Sequence, residues 1–297
     1  MIVAIGLDLD APYSHFIERA GVEGVAVQPV NLRRYVEGDW QFHLPSDEPG
    51  IVECDAGAIE LPPDASYYCR IMDLSAHEAD EAKVKRWRGL LGALRTWLEW
   101  IPGKVANRSR AGGHNAAKPL HEAILVDLGL QVPESLTSCD PDLLRSFVRA
   151  GPTISKTVCG VRADATIVTE ADFSDFNPAS GPVHIQRRIK GADIRIHVVG
   201  PHLVAQRADI DAVDYRREGG INALVTFDPP EALARFLVGA TREIGLEFAG
   251  WDFKLDAEGN FWCLEVNPMP GYSAYDERCD GAISRALFDH LGTAETS

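Results

Sequence analysis

Hydrophobic positions along the chain change period several times, and each change marks an element. Residues 2–7 (IVAIGL) are a short apolar run, followed by a polar turn and the helix-like segment FIERAG, and VAVQPV at 25–30 completes a β-α-β opening. Strand character recurs at 50–53, 58–61 and 67–72, between Pro and Asp/Gly turns. Across 77–101 the period lengthens: Val84, Trp87, Leu91, Leu94, Leu98 and Ile101 follow one another at alternating steps of three and four, which predicts one apolar stripe on a long helix. Pro102-Gly103 ends that helix and sets a first domain boundary.

Residues 115–128 predict a second helix, with Leu120, Ile124 and Leu128 aligned, Gly129 as its stop and Pro133 beyond. Asp140 followed by Pro141 reads as N-cap and first turn of another, whose buried face would be Leu143, Leu144, Phe147 and Val148. After Gly151-Pro152 the pattern becomes β-rich: TISKTVCG, ATIVTE, VHIQRRI, IRIHVVG and HLVAQRA. Pro229-Pro230 opens a helix carrying Leu233, Phe236, Leu237, Ala240 and Ile244. A hairpin at 248–267 and a short helix at 283–291 complete the chain, with the tail GTAETS expected to fray.

Composition narrows the function classes. Of 297 residues, 29 are Lys or Arg and 44 Asp or Glu, a formal charge of 29 − 44 = −15. That acidity argues against neutralising a nucleic-acid backbone, while leaving room for a local basic pocket. No run approaches the ~18 apolar residues of a membrane span. The apolar opening lacks a basic leader and meets Asp8 and Asp10 at once, so it reads as a buried strand. Six scattered cysteines without a C-x-x-C pair point to reduced thiols and a cytoplasmic protein. The length predicts several packing units of an α/β protein.

The chemistry concentrates in residues 250–270. Two strands flank a turn containing Glu258-Gly259, and Asp252, Glu265 and Asn267 lie on them. Alternation puts Glu265 and Asn267 on one face. A two- or four-residue loop adds Asp252, roughly opposite 263–265, and a one-residue slip would turn it away. Trp251, Phe253, Trp262 and Leu264 are expected on the opposite, apolar face. Three hard oxygen donors suit Mg²⁺, which leaves positions for water or phosphate. The plainer alternative is a pair of solvated strand carboxylates with a turn asparagine.

Lys156 sits inside an apolar strand, either as a snorkelling edge residue or as a phosphate partner facing a cleft. The segment 183–200, VHIQRRIKGADIRIHVVG, reads as two strands joined by a short polar hinge. Backbone groups of such a link can read an adenine edge, and Asp193 is placed to accept from a ribose hydroxyl. Arg195 and Arg216 supply permanently charged donors for phosphoryl oxygens. The alternative is an exposed Asp193–Arg195 pair.

Taken in order, Lys118 on a helix, GLQVPESL, Lys156 on a strand, QRRIKGADIRIHVVG, DYR, GWDF and CLEVNPMPG resemble the ATP-grasp superfamily, in particular its RimK-like branch, over residues ~104–297. YYCRIMD, VANRS, NAAK and DAVDYR are similar to the microviridin-type (graspetide) peptide ligases within it. The resemblance implies an α/β ATP-grasp fold: a smaller N-terminal α/β domain at 1–103, a central subdomain at 104–190 and a C-terminal subdomain with the metal site at 191–297. It implies ATP and Mg²⁺ (or Mn²⁺) as cofactors. Lys118 and Lys156 would contact phosphates, and Ile185, Gln186, Arg187 and Ile189 would line the adenine, with Asp193 at the nucleotide. Arg195 and Arg216 would act on the transferred phosphoryl group, and Asp252, Glu265 and Asn267 would bind the metal.

Three departures stand out. Arg187 occupies a position where relatives carry a carboxylate, Gly160 is the single glycine of the phosphate-covering loop, and Glu218 replaces an asparagine after DYR. The implied activity is ADP-forming ligation of a carboxylate to an amine or hydroxyl through an acyl phosphate, on a peptide or an amino acid, with a homodimer left open and neither nucleic acid nor membrane as partner. A kinase on the same fold and a nucleotide-binding module with decayed chemistry stay open as rivals. The basic run KVKRWR at 83–88 reads as a solvated face or a docking site for an acidic peptide.

Overall fold

The computed structural model describes residues 1–44, 47–159, 165–210 and 220–292, with backbone alone for 112, 114–116, 220 and 221. Arg216, Glu218 and Gly160 lie outside the described residues.

The apolar opening becomes β1 (Ile2–Gly6), buried throughout and flanked in parallel by β2 (Val27–Asn31) and β6 (Ser66–Cys69). β7 (Val105–Ala106) adds a fourth parallel strand beside β6. Between β2 and β6 the chain forms α2 (Leu32–Tyr35) and a small antiparallel sheet of β3 (Trp40–Gln41), β4 (Gly50–Cys54) and β5 (Gly57–Leu61). A parallel sheet needs cover on both faces. α1 (Ala11–Glu23) and the long α3 (Glu81–Trp100) provide it. α3 starts at Asp80, whose carboxylate accepts from the Ala82 and Lys83 N–H groups, a cap worth about 1 kcal/mol. Its buried stripe is broader than the sequence pattern suggested, adding Leu90 and Trp97. The basic run on this helix is largely engaged within the fold: Arg86 Nε donates to Val36 O at 2.7 Å and Arg88 Nε to Ser75 Oγ at 3.0 Å.

The middle of the chain forms α4 (Lys118–Asp127), β8 (Ser135–Ser138), α5 (Pro141–Arg149), β9 (Thr153–Lys156), β10 (Thr166–Val168) and β11 (Val183–Arg187). The strands make an antiparallel sheet in the order β10-β9-β11-β8. α5 is capped by Asp140 as expected, but Leu143 points to solvent and only Leu144 is fully buried, against Ile185 and Phe173. α4 departs further. Leu120 is 54% exposed, and the buried side carries His121, Glu122 and Leu125. The helix turns a polar face inward because it lines a cleft whose walls supply hydrogen-bond partners.

The last third is a five-stranded antiparallel sheet, ordered β14-β13-β12-β15-β16, of β12 (Ala192–Val199), β13 (His202–Ala208), β14 (Val225–Thr226), β15 (Phe248–Leu255) and β16 (Phe261–Asn267). α6 (Glu231–Glu243) packs Leu237 and Ala240 on Ile194, Ile196, Val198, Trp251 and Phe253. α7 (Ser273–Arg278), which no sequence signal announced, precedes α8 (Ala282–Gly292). α8 joins the two ends of the chain: Leu287 and Phe288 share a core with Phe16 and Tyr68 of the N-terminal sheet and with Val199 and Phe248. All six cysteines are free. Among the described residues no helix is long and apolar enough to cross a membrane.

Candidate active site

The residues expected to bind metal lie in two adjacent rows of the C-terminal sheet, beside Arg195. Arg195 on β12 faces Asp252 on β15, and Asp252 faces Glu265 on β16, while Asn267 lies opposite Gly250 in the next row. Cross-strand partners share a face, so the three oxygen-bearing side chains and Arg195 project together. The apolar face differs from the expected one. The register shifts between Asp252 and Phe253, so Phe253 pairs with Cys263 and the buried set is Trp251, Phe253, Cys263 and Val266. Trp262 instead faces Lys254 and donates its indole N–H to Asp256 Oδ2 at 2.7 Å. One extra residue in β16 moves everything before it to the other face.

Each acidic residue of the row holds a cation. Arg195 Nη1 donates to Asp252 Oδ2 at 2.7 Å, and Lys118 Nζ to Glu265 Oε2 at 2.8 Å. Arg195 is almost wholly buried and also donates from Nε to His197 Nε2 at 3.2 Å. Burial, and then Arg195, holds His197 well below an ordinary imidazole pKa, so it stays neutral and accepts. Gly250 is required here, because a β-carbon at that position would overlap the Arg195 guanidinium. Among the described residues no three His, Cys, Asp or Glu side chains converge as a metal cage. Two carboxylates and an amide are a donor set that fits Mg²⁺, which completes its shell with water and phosphate.

The opposing wall is the polar face of the central sheet, with α4 between the two. His184 pairs with Lys156 and with Thr137, so these side chains and Gln186 share one face. Glu122 on α4 gathers that face: it accepts from Ser135 Oγ at 2.5 Å, Gln186 Nε2 at 2.7 Å and His184 Nε2 at 3.1 Å. Burial alone would raise the Glu122 pKa, but the hydrogen bonds from His184 and Ser135 outweigh it and lower the value. Lys156 lies on an interior strand, which removes the edge alternative. Burial lowers its pKa, with Glu122 and Glu265 working the other way and Lys118 adding to the depression. Lys118, Lys156 and Glu265 are thus brought within electrostatic reach of one another. α4 serves both walls, since His121 Nε2 also accepts from the Val266 N–H at 3.0 Å.

The hinge residues separate in role. Gln186 is fully buried, with Oε1 lacking a hydrogen-bond partner among the described residues, while Ile185 belongs to the α5 core and Ile189 is half-buried in the link. Arg187 turns away from the polar face. It lies 3.8 Å over the Phe147 ring and donates to Phe147 O at 2.7 Å and Glu134 Oε2 at 3.1 Å, fastening α5 to β8 and β11. Gly191 gives the link its turn at φ 152, where Leu255 O leaves no room for a side chain. Asp193 is buried against Lys254, Nζ to Oδ2 2.7 Å.

Glu122, His184, His121 and Lys254 were not singled out from the sequence. Faint signals existed: Glu122 stands four residues after Lys118, on the same side of the helix, and His184 alternates with Gln186.

Solved structures with the same architecture span nearly the whole chain. The ATP-grasp ligase PsnB complexed with a minimal precursor is 24% identical, with 98% of this chain and 97% of that one covered and a TM-score of 0.79. The macrocyclase MdnC from Microcystis aeruginosa MRC, bound with precursor peptide MdnA, is 18% identical, with 98% and 99% covered and a TM-score of 0.81. This chain has the ATP-grasp fold. A RiPP-associated ATP-grasp ligase from Chryseobacterium gregarium, in complex with ADP and a leader and core peptide, matches at 18% identity, 98% and 96% coverage and a TM-score of 0.82. No family model matches the sequence. In ATP-grasp terms, the central and C-terminal sheets are the two walls of the cleft and α4 runs between them.

Proposed function

We propose that the protein is an ATP- and Mg²⁺-dependent, ADP-forming ligase that joins a carboxylate to an amine or hydroxyl on a peptide, with Mn²⁺ able to replace Mg²⁺. The observation that carries this reading is the row Arg195–Asp252–Glu265, with Asn267 beside it, Lys118 reaching it from α4 and Lys156 on the opposing sheet. Solved ATP-grasp ligases of this shape bind precursor peptides, and PsnB has been captured with Mg and ADP. That supports a peptide as the substrate here. The free thiols support a reducing, cytoplasmic setting.

Asp252, Glu265 and Asn267 would hold Mg²⁺, which supplies charge neutralisation for the phosphates. Lys118 and Lys156 hold phosphoryl oxygens, and the pairing of Lys118 with Glu265 keeps its ammonium aimed into the cleft until the triphosphate enters. The 185–189 segment receives the adenine, and Asp193, oriented by Lys254, accepts from the ribose. A substrate carboxylate oxygen attacks the γ-phosphorus as the bond to the β-phosphate oxygen breaks, giving ADP and an acyl phosphate. Arg195, together with Arg216, stabilises the charge on the transferred group. An amine or hydroxyl then attacks the acyl carbon and inorganic phosphate leaves, forming an amide or ester.

Incubation with MgATP, a library of acidic peptides and hydroxylamine tests the reading. A peptide hydroxamate accompanied by ADP is the expected outcome. ADP with a phosphorylated hydroxyl and no hydroxamate would make the protein a kinase, and nucleotide binding without ADP release would make it a binding module.

A further inference from the structure

The turn that follows Asn267, Pro268-Met269-Pro270-Gly271, is gripped from three directions. Asn107 Nδ2 donates to Pro268 O at 2.5 Å, while its Oδ1 accepts from the Glu247 and Phe248 N–H groups at 2.7 and 2.9 Å. Gly250 on β15 lies so close to Pro270 that a β-carbon there would overlap the proline ring. The third hold comes from the other end of the chain: Arg70, at the end of β6, donates from Nη1 to Pro270 O at 2.9 Å. Its other N–H groups go to Asp10, Nη2 to Oδ1 at 3.0 Å and Nε to Oδ2. Arg70 and Asp10 are both buried, 6% and 8% exposed. An ion pair serving only the N-terminal fold would need no contact beyond itself, yet the remaining arm of this guanidinium reaches 200 residues along the chain to one carbonyl.

That carbonyl matters because the turn sets the Asn267 side chain: Asn267 Oδ1 accepts from the Met269 N–H at 2.9 Å. We infer that Arg70 is a positioning residue for the metal site, holding through Pro270 the turn that orients Asn267, with Asp10 fixing the guanidinium. The inference rests on the reading of Asp252, Glu265 and Asn267 as metal ligands. Mg²⁺ and Mn²⁺ require near-octahedral placement of their oxygens, so a small displacement of the turn is felt as lost affinity. It also gives the N-terminal domain a part in the chemistry, because opening of the interface between β6 and the C-terminal region would loosen the asparagine.

The test is Mn²⁺ binding followed by electron paramagnetic resonance, with a non-hydrolysable ATP analogue present, on wild type and Arg70→Lys. A lysine ammonium lacks the planar fork that serves Asp10 and Pro270 together. Mn²⁺ affinity is expected to fall about 10–100-fold, the scale of losing a partner behind a ligand. Affinity for the analogue without metal should stay within about twofold of wild type, because Arg70 touches no proposed nucleotide contact. Asp10→Asn should shift Mn²⁺ binding in the same direction by less, and it carries the test if Arg70→Lys does not fold. Unchanged Mn²⁺ affinity in a folded variant, or an equal loss of metal-free analogue binding, overturns the inference. Wild-type protein that binds the analogue but no Mn²⁺ would overturn the metal-site reading itself.

Discussion

The two walls of the cleft are built on different terms. The C-terminal sheet rests on a large apolar layer, with Ile194, Ile196, Val198, Trp251, Phe253, Cys263 and Val266 all buried beneath α6. Its polar face is locked strand to strand by Arg195–Asp252 and Lys254–Asp193. Among the described residues the central sheet has Leu144, Phe173 and Ile185 as its buried core. Its polar face is gathered by one carboxylate, Glu122, reaching from α4. The comparison teaches how one site can be rigid on one side and adjustable on the other. The proposed metal ligands need fixed geometry and sit on the deep core, whereas Lys156, proposed to face the phosphates, sits on the thin sheet, where local opening is cheaper.

The largest effect should separate chemistry from stability. Glu265→Gln removes a proposed metal carboxylate at a partly exposed position, and ADP release should drop about 10³-fold with little change in the urea midpoint. A large stability loss instead would mean that the carboxylate is part of the scaffold. Lys156→Met should lower ADP release by about 10²-fold, again as the loss of one preorganised donor. Its melting temperature should hold or rise, because burial already disfavours the charged ammonium.

Glu122→Ala strips the acceptor from Ser135, Gln186 and His184, at a cost of about 2–4 kcal/mol for leaving buried donors unpaired. Hydrogen exchange should show that loss in β8, β9 and β11 and spare β12 and β15. Equal loosening of both sheets would end the distinction between the walls. The smallest effect is in acid. Glu122 titrates below its ordinary 4.5, so its contribution is complete above that pH and fades as pH falls through the lowered value. Below pH 4.5, exchange in the central sheet should therefore accelerate before exchange in the C-terminal sheet.

Much of the framework was legible along the chain because it depends on near neighbours. Asp140 announced its helix through capping, Gly129 its stop at φ 89, and the period of two put Glu265 and Asn267 on one face. Packing partners were less legible. Leu143 and Leu120 satisfied the helical spacing yet face solvent, because α5 covers a narrow sheet and α4 lines a polar cleft. Arg187 stood out as a departure at the hinge, and its place on Phe147 could not be read from a pattern with a period of two residues.

By itself the chain order determined the ATP-grasp architecture and nominated the cations and oxygen donors, since local periodicity, caps and motif order are short-range properties. Tertiary structure alone decided which of them meet. The gathering of β8 and β11 on Glu122 and the reach of Arg70 to Pro270 join positions 13 to 200 residues apart. Such contacts follow from how buried donors and acceptors find partners once the cores have formed, and no sequence window contains both ends of them.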